Sequence, residues 1–245
     1  DLDELLDLAD RHGLTLIEDA CHAPGAQYKG RLIGSIAHMS AFSFHPVKHL
    51  TTGEGGMVTT NSDMLASRLR KFRNHGIDTD FRQREELGTW AYDMSALGFN
   101  YRVPDINCAL GLSQLEKLPT WVARRRELAA RYETLFDSVP RVRTLVEPDD
   151  RKSSWHLYPI RFGGNDPSAT RAAAYASMRG KQIGVNVHYR PVHLHSYYRS
   201  LGYSAGTCPV AEAAYEGLLS LPMWPGLTNE EQEYVVELVT DIAGR

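Results

Sequence analysis

The chain has 245 residues, of which 42% are hydrophobic and 23% are charged, as in an ordinary globular protein. Its formal net charge of −3 argues against a nucleic-acid partner, and no apolar run is long enough for a membrane span. The three cysteines, Cys21, Cys108 and Cys208, are too widely spaced for a disulfide framework or a CxxC metal pair, so we expect a cytoplasmic protein.

The first segment reads as the interior of an α/β domain. The chain begins at Asp1, and four apolar residues between positions 2 and 9 have helical spacing. The apolar run 14–17 follows at once and predicts a buried parallel strand, with Asp19 near its carboxyl end. Open α/β sheets bind ligands at that end, so Asp19 is a candidate site residue. We also expect that further sequence precedes this segment.

The next elements surround a lysine, Lys48, that lies in a loop before a glycine-rich turn. Pro46 ends regular structure two residues before it. We predict a strand, a turn, a second strand and a helix capped by Asn61, at residues 40–44, 53–56, 57–60 and 62–72.

The remainder predicts a second, smaller α/β lobe. Residues 79–95 are polar and aperiodic and indicate a mobile loop. A helix at 105–118 is expected to end at Pro119, and an arginine-rich helix follows to Phe136. Proline and charge accumulate near 140–150, so we divide the chain into residues 1–140 and 141–245. In the second lobe we predict strands at 155–162, 184–189 and 218–221, and helices at 168–179, 210–216 and from 229 onward.

Lys48 is the sharpest chemical candidate, although most lysines lie on the surface and a solvated loop lysine is the simpler interpretation. A lysine that loses part of its hydration behind a buried strand can attack an aldehyde as a free amine. The carboxylate of Asp19 could hold a cationic ring nitrogen, or it could cap a helix or form an ion pair. His22 could donate to a cofactor oxygen, or it could simply occupy a turn.

The glycine-rich turn 53–56 is weak evidence by itself. It is neither a Walker A motif nor a dinucleotide fingerprint, because its lysine precedes the glycines and a strand follows them. Its backbone N–H groups and the Ser43 hydroxyl could nevertheless meet a phosphate.

Three histidines, His188, His193 and His195, lie within eight residues of each other. They could bind zinc, but no carboxylate or cysteine accompanies them in a recognised ligand pattern. A polar sugar pocket or a structural role fits them better, so we predict no metal. The successive residues Arg124, Arg125 and Arg126 point in different directions on a helix and predict a surface rather than a phosphate trap.

Several segments, taken together and in order, resemble the DegT/DnrJ/EryC1/StrS family of nucleotide-sugar aminotransferases. The likeness runs over essentially the whole chain, and five motifs in fixed order are far more specific than any one of them. The segments are EDACHA (18–23), SFHPVK (43–48), TTGEGG (51–56), RNHG (73–76) and GFNYR (98–102).

This resemblance implies a fold-type-I enzyme that depends on pyridoxal 5′-phosphate (PLP), with residues 1–140 as part of its large cofactor-binding domain. Lys48 matches the Schiff-base lysine, and Asp19 matches the acid that pairs with the pyridinium nitrogen. His22 falls beside the cofactor ring, and Ser43 matches a serine that contacts the phosphate. Asn100 matches an asparagine that reaches the cofactor phosphate of the neighbouring subunit, which implies a homodimer.

A narrower likeness points to the pseudaminic-acid branch of the family, through residues 44–48, 155–160 and 187–194. It implies transfer of an amino group, with glutamate as the donor, to C4 of a UDP-linked 4-keto-6-deoxy-N-acetylhexosamine. The side chains that we expect to contact this substrate are His45, Arg102, His188 and His193.

One departure from the family and several alternatives stay open. The family's N-terminal third, which supplies a phosphate-binding loop and a ring-stacking residue, is not in this sequence. The chain could instead aminate another nucleotide-linked keto sugar, or bind PLP as a non-catalytic regulatory protein. A PLP-dependent sugar dehydratase is a further alternative, although relatives of that kind replace the lysine with histidine.

Overall fold

Helices and strands follow one another along most of the chain in the computed structural model, which describes residues 1–244. The strands are β1 (Ile17–Asp19), β2 (Gln27–Tyr28), β3 (Arg31–Leu32), β4 (Met39–Ser43), β5 (Gly56–Thr59), β6 (Val142–Arg143), β7 (Arg151–Lys152), β8 (Tyr158–Phe162) and β9 (Leu218–Leu221). The helices are α1 (Leu2–Arg11), α2 (Asp63–Arg73), α3 (Phe81–Glu86), α4 (Asp105–Leu115), α5 (Leu118–Phe136), α6 (Pro167–Gly180), α7 (Ser196–Ser200), α8 (Pro209–Gly217) and α9 (Asn229–Ala243).

The chain divides into two compact units. The first contains Asp1–Thr120 together with Asp149–Ser154, and the second contains Trp121–Pro148 together with the residues from Trp155 onward. These units are defined by their compactness. The division into functional domains between residues 140 and 141 stays a prediction. Within residues 1–244, no helix is both long and apolar enough to cross a membrane.

The first unit contains two three-stranded sheets, ordered β1-β4-β5 and β3-β2-β7. The pairing of β1 with β4 is parallel, whereas β4 and β5 are antiparallel because the chain reverses through the loop that contains Lys48. The α/β class is therefore confirmed. The expectation of a mainly parallel sheet is wrong for the described residues, where β1 and β4 form the only parallel pair among the strands.

The predicted positions of β4, β5 and α2 are confirmed to within one residue. The prediction of a buried strand at 14–17 is wrong. The strand begins only at Ile17, which is 62% exposed because β1 is an outer strand of its sheet. The cap of α2 is a second correction. Ser62, not Asn61, accepts the hydrogen bond from the Leu65 amide, and the Asn61 side chain donates instead to the Ser35 carbonyl.

The loop predicted at 79–95 contains a short helix, α3. The Asp80 side chain accepts from the Gln83 amide, and the Gln83 side chain accepts from the Asp80 amide, so a capping box begins this helix. Farther along, α4 ends at Leu115 rather than at residue 118. Pro119 lies in the first turn of α5, where its missing N–H costs no intrahelical hydrogen bond.

The second unit is built around the antiparallel sheet β6-β8-β9. Its largest fully buried side chains include Tyr132 of α5 and Tyr158 and Phe162 of β8, and Tyr132 and Tyr158 stack at 4.7 Å. The guanidinium of Arg125 is buried here and donates to the carbonyl oxygens of Trp155, His156 and Met223. Burial lowers the pKa of Arg125 to about 10.

Some of the elements predicted for the second unit are confirmed, and others are wrong. The strand at 218–221 is confirmed, as are the helices α6, α8 and α9 to within one residue. The strand predicted at 155–162 begins only at Tyr158, because Trp155 has a positive φ of 49°. The strand predicted at 184–189 is wrong. It is a single bridge between Asn186 and Ser220, because the Val187 amide donates to the Asn186 side chain instead of a neighbouring strand.

A pair of glycine substitutions tests the packing of the second unit. Gly217 ends α8, and a Cβ atom there would collide with the Phe162 carbonyl oxygen, whereas Gly180 at the end of α6 has no heavy atom within 4 Å of that position. We expect Gly217→Ala to lower the free energy of unfolding by about 1–3 kcal/mol because of overpacking. The matched control Gly180→Ala should leave it unchanged or raise it slightly, and equal effects in urea titrations would contradict this packing.

Candidate active site

The parallel pairing of β1 with β4 brings four of the predicted cofactor residues, Asp19, His22, Ser43 and Lys48, to one sheet edge. Asp19 is opposite Ala41, and the Ala20 amide donates to the Ala41 carbonyl oxygen at 2.9 Å. Ser43 ends β4 two residues farther on, and the chain then runs into the loop of Lys48. Both strands therefore present their carboxyl ends, where α/β proteins place ligands, at the same edge.

The neighbours of the Asp19 carboxylate lower its pKa. Its Oδ1 accepts the Cys21 amide at 3.1 Å, and the pKa of Asp19 is lowered first by a hydrogen bond from the Cys21 thiol and then by that amide. The charges of His22 and Lys48 lower it further, so the three groups lie within electrostatic reach of one another. The Cys21 thiol also donates to the Ala41 carbonyl oxygen at 3.7 Å, so its single proton is shared between two acceptors.

Backbone hydrogen bonds fix the loop around Lys48. The Lys48 amide donates to the His45 carbonyl oxygen at 2.9 Å. On either side, the Phe44 amide donates to Gly55 and the Thr52 amide donates to Phe44, so the loop closes on itself. The Lys48 side chain is partly buried in this setting. The backbone that carries the Lys48 side chain is thus held in a defined turn.

The other predicted residues near this loop occupy more exposed positions. The Ser43 hydroxyl accepts the His45 amide at 3.3 Å and is partly buried. His45 is exposed, and its Nε2 lies 3.9 Å from the carboxylate of Glu54. The His22 residue is exposed and contributes charge to the Asp19 environment.

Asn100 and Arg102 belong to a different part of the first unit. Asn100 forms an antiparallel bridge with Asn74, and the Arg102 guanidinium donates to the Asn74 side-chain oxygen at 2.7 Å. These hydrogen bonds connect the GFNYR segment with the end of α2 and do not connect it with the Lys48 loop. Both residues are exposed.

Arg102 also lines a basic cleft of about 650 Å³ that our sequence reasoning missed. Asp78 and Asp80 are its acidic residues, and five cationic side chains outnumber them: Arg70, Lys71, Arg73, Arg84 and Arg102. The sequence contained a signal, because Arg70 and Arg73 are three residues apart on α2 and therefore lie on one face.

His188 and His193 lie in the second unit. The Nδ1 atom of His188 is 2.9 Å from the Ser220 hydroxyl. His193 is buried, and its Nε2 lies 2.7 Å from the carboxylate of Glu212. The same carboxylate accepts the Gly206 amide, which is the main cause of the lowered pKa of Glu212. No local pattern predicts this carboxylate beside His193, because α8 supplies it 19 residues later.

Among residues 1–244, no three histidine, cysteine or acidic side chains converge as a metal site. The arrangement of the first unit fits a different group. A primary amine and an ionised carboxylate within electrostatic reach of each other are the groups that PLP uses for its aldehyde and its pyridinium nitrogen, and a histidine lies beside them. The neighbouring serine hydroxyl could contact the phosphate.

Comparisons with known proteins agree with this chemistry. A sequence model of the DegT/DnrJ/EryC1/StrS aminotransferase family matches residues 1–240. The spore coat polysaccharide biosynthesis protein SpsC of Bacillus subtilis is 38% identical over 245 residues, covering 99% of this chain and 63% of SpsC. This chain therefore spans less than two thirds of the length of that relative.

Solved structures match over the whole chain. PseC of Helicobacter pylori, an aminotransferase involved in the biosynthesis of pseudoaminic acid, matches with a TM-score of 0.89 and 31% identity, covering 100% of this chain and 63% of PseC. Spr1654 of Streptococcus pneumoniae in its PMP form matches with a TM-score of 0.90 and 29% identity, covering 100% and 66%. A PLP form of Spr1654 matches as well. The fold-type-I prediction and, at the level of the family, the PLP prediction are confirmed.

The contribution of Cys21 to the lowered pKa of Asp19 can be tested directly. Because the folded-state pKa of Asp19 is lowered, its ionised form favours folding above its ordinary pKa, and that contribution is lost as the pH falls through the folded-state value. We expect Cys21→Ala to raise the Asp19 pKa part of the way toward normal, because the residue 21 amide still donates. Cys21→Ser should keep it low, since a hydroxyl also donates.

Carboxyl-carbon NMR titration of the chain measures this pKa. Cys108→Ala is the matched control, because Cys108 is exposed on α4 and does not contribute to the Asp19 environment. If Cys21→Ala leaves the Asp19 titration where it was, the thiol does not hold the carboxylate.

Proposed function

This chain belongs to the DegT/DnrJ/EryC1/StrS aminotransferase family, and on that premise we propose that it transfers an amino group to a nucleotide-linked keto sugar, with Lys48 as the catalytic lysine. The observation that carries the proposal is the cluster of Lys48, Asp19 and His22 at one sheet edge. The PLP and PMP forms of Spr1654 support a cofactor that alternates between aldehyde and amine.

The roles that we propose follow from the chemistry of each side chain. PLP, when bound, supplies an electron-accepting pyridinium ring. The ionised Asp19 carboxylate keeps a proton on the ring nitrogen, and the lowered pKa of Asp19 favours the same ionised form. Lys48 first holds the cofactor through its amine. Once an amino donor displaces it, the free amine moves a proton to and from the reacting substrate carbon.

We propose glutamate as the donor and a UDP-linked 4-keto-6-deoxy-N-acetylhexosamine as the acceptor. The support is the likeness to PseC over the whole of this chain. SpsC is more similar in sequence and is named for spore coat polysaccharide biosynthesis, which favours another keto sugar as the alternative acceptor. A panel of nucleotide-linked 4-keto sugars distinguishes these two proposals.

The basic cleft around Arg102 is the part of the first unit best suited to the diphosphate of such a substrate. Its cationic side chains exceed its acidic ones by three, in a chain whose net charge is negative. Four of the five cations are arginines, whose planar guanidinium groups bind phosphate through paired hydrogen bonds. A diphosphate bound here would be an anionic partner for Arg102, which we predict to contact the substrate and which already donates to the neutral side chain of Asn74.

We also propose a cytoplasmic homodimer in which Asn100 reaches the cofactor phosphate of the second copy. The exposure of Asn100 supports this role. The helix α4 buries none of its residues, and the side chains of Ile106 and Leu112 are 86% and 65% exposed. Water-exposed apolar surface of this extent favours cover by further protein, and sedimentation analysis would report the oligomeric state.

The lysine assignment is tested by Lys48→Arg. We expect turnover with glutamate and the keto sugar to be abolished, because arginine stays protonated and cannot form the bond to the cofactor. In the unchanged chain, borohydride should fix the mass of PLP on the peptide that contains Lys48, and mass spectrometry should find no such mass in the variant.

Lys29→Arg is the matched control for this experiment. Lys29 pairs with Asp3 on the surface, far in sequence from the Lys48 loop, so labelling and turnover should persist. A sugar product that gains an amine supports transamination, whereas a product that loses water would support the dehydratase alternative. Full activity in Lys48→Arg would refute the assignment.

The cleft is tested by Arg102→Gln. Loss of one charge-assisted phosphate contact should weaken binding of UDP by about tenfold to a hundredfold, measured by calorimetry at fixed salt. The control Arg11→Gln removes an exposed arginine at the end of α1, whose guanidinium hydrogen-bonds within its own helix, and should leave UDP binding unchanged. Equal affinities in both variants would place the diphosphate elsewhere.

A further inference from the structure

Ser154 lies between the two loops that carry the predicted cofactor residues. It is fully buried, at 0% exposure, and belongs to the first unit although it comes late in the sequence. Its hydroxyl donates to the His22 carbonyl oxygen at 3.0 Å. Its own carbonyl oxygen lies 3.0 Å from Nε2 of His49. One residue thus contacts the loop after β1 and the loop after β4.

The second of these hydrogen bonds defines the state of His49. A carbonyl oxygen can only accept, so His49 must carry a proton on Nε2 and donate to Ser154. His49 is only 4% exposed, and burial of its ring leaves little water to replace this bond. Loss of the donor would therefore leave the Ser154 carbonyl oxygen unsatisfied in a buried place.

The segment that carries Ser154 is itself anchored. β7, two residues before Ser154, pairs antiparallel with β2. Arg151 forms ion pairs with Asp150 and Asp1, and its guanidinium lies 5.4 Å from the centre of the Tyr28 ring. Ser154 is therefore a fixed point against which two loops are held.

We infer that His22, Ser154 and His49 form a hydrogen-bonded strap that positions Lys48 relative to Asp19. His49 directly follows Lys48, and His22 is three residues after Asp19, so the strap acts one to three residues from each functional group. Small misplacements of reacting groups have large effects on rate and affinity, which gives such a strap its purpose. Ser154 and His49 are positioning residues in this scheme, which rests on the proposed role of Lys48.

Three variants of the chain test the strap. Ser154→Ala removes the donor to His22, and His49→Leu removes the donor to Ser154 at similar volume. His49→Gln keeps an N–H group near the position of Nε2. We expect the first two to weaken PLP binding by about tenfold to a hundredfold, because Lys48 is no longer held in place. His49→Gln should restore binding close to that of the unchanged chain.

Absorbance titration with PLP, followed by borohydride fixation at Lys48, measures the binding. Ser35→Ala is the matched control, since the Ser35 hydroxyl likewise donates to a backbone carbonyl but lies outside both loops. PLP binding in Ser154→Ala and His49→Leu equal to that in Ser35→Ala overturns the strap. Failure of His49→Gln to restore binding that His49→Leu has lost also overturns it, because it shows that the N–H group is not what matters.

A second measurement separates this inference from the proposed function. If the unchanged chain never binds PLP at Lys48, the proposed function fails, and amide hydrogen exchange of the cofactor-free chain decides on the strap. Faster exchange at residues 20–23 and 47–50 in Ser154→Ala than in Ser35→Ala supports it. Equal exchange in the two variants overturns it.

Discussion

The parallel pairing of β1 with β4 is the constraint on which the candidate site depends. Two parallel neighbours end at the same edge of a sheet, so residues far apart in sequence emerge together there. Asp19 ends one strand, and the loop containing Lys48 follows the other. An antiparallel pair would have placed the two residues at opposite edges. The orientation of this single pair therefore makes a shared cofactor site possible.

Position alone would not make these residues useful, because a carboxylate beside a pyridine nitrogen must remain ionised. The local chain provides for this. The residue after β1 leads into a turn in which the Cys21 amide donates to the Asp19 carboxylate, and the Cys21 side chain lowers the pKa of that carboxylate further. The nearby amine and imidazole act in the same direction. The short loop after the strand thus sets the position of the carboxylate and favours its ionised form, which couples the fold to the chemistry.

The sequence predicted correctly those elements that a capping motif or a short apolar run marks within the element itself. The helix α9 begins at a capping box formed by Thr228 and Glu231, and three of the four residues of β9 are leucines. Where a side chain competed with the backbone, prediction failed, as in the segment 184–189, where Asn186 takes the hydrogen bond that a strand would need. The residues of the α3 capping box, Asp80 and Gln83, have the spacing of such a box in the sequence. The polar, aperiodic composition of the segment nevertheless favoured a loop.

The candidate site divides in the same way. Ordered motifs predicted Lys48 and Asp19 as site residues, because each motif is a continuous run of sequence. The contacts of Ser154 with His22 and His49 span 132 and 105 residues, so no local pattern could predict them. They depend on the pairing of β7 with β2, a contact between short strands that carry almost no sequence signal. The sequence therefore predicts which groups react, whereas the hydrogen bonds that we propose to hold them in place become visible only in three dimensions.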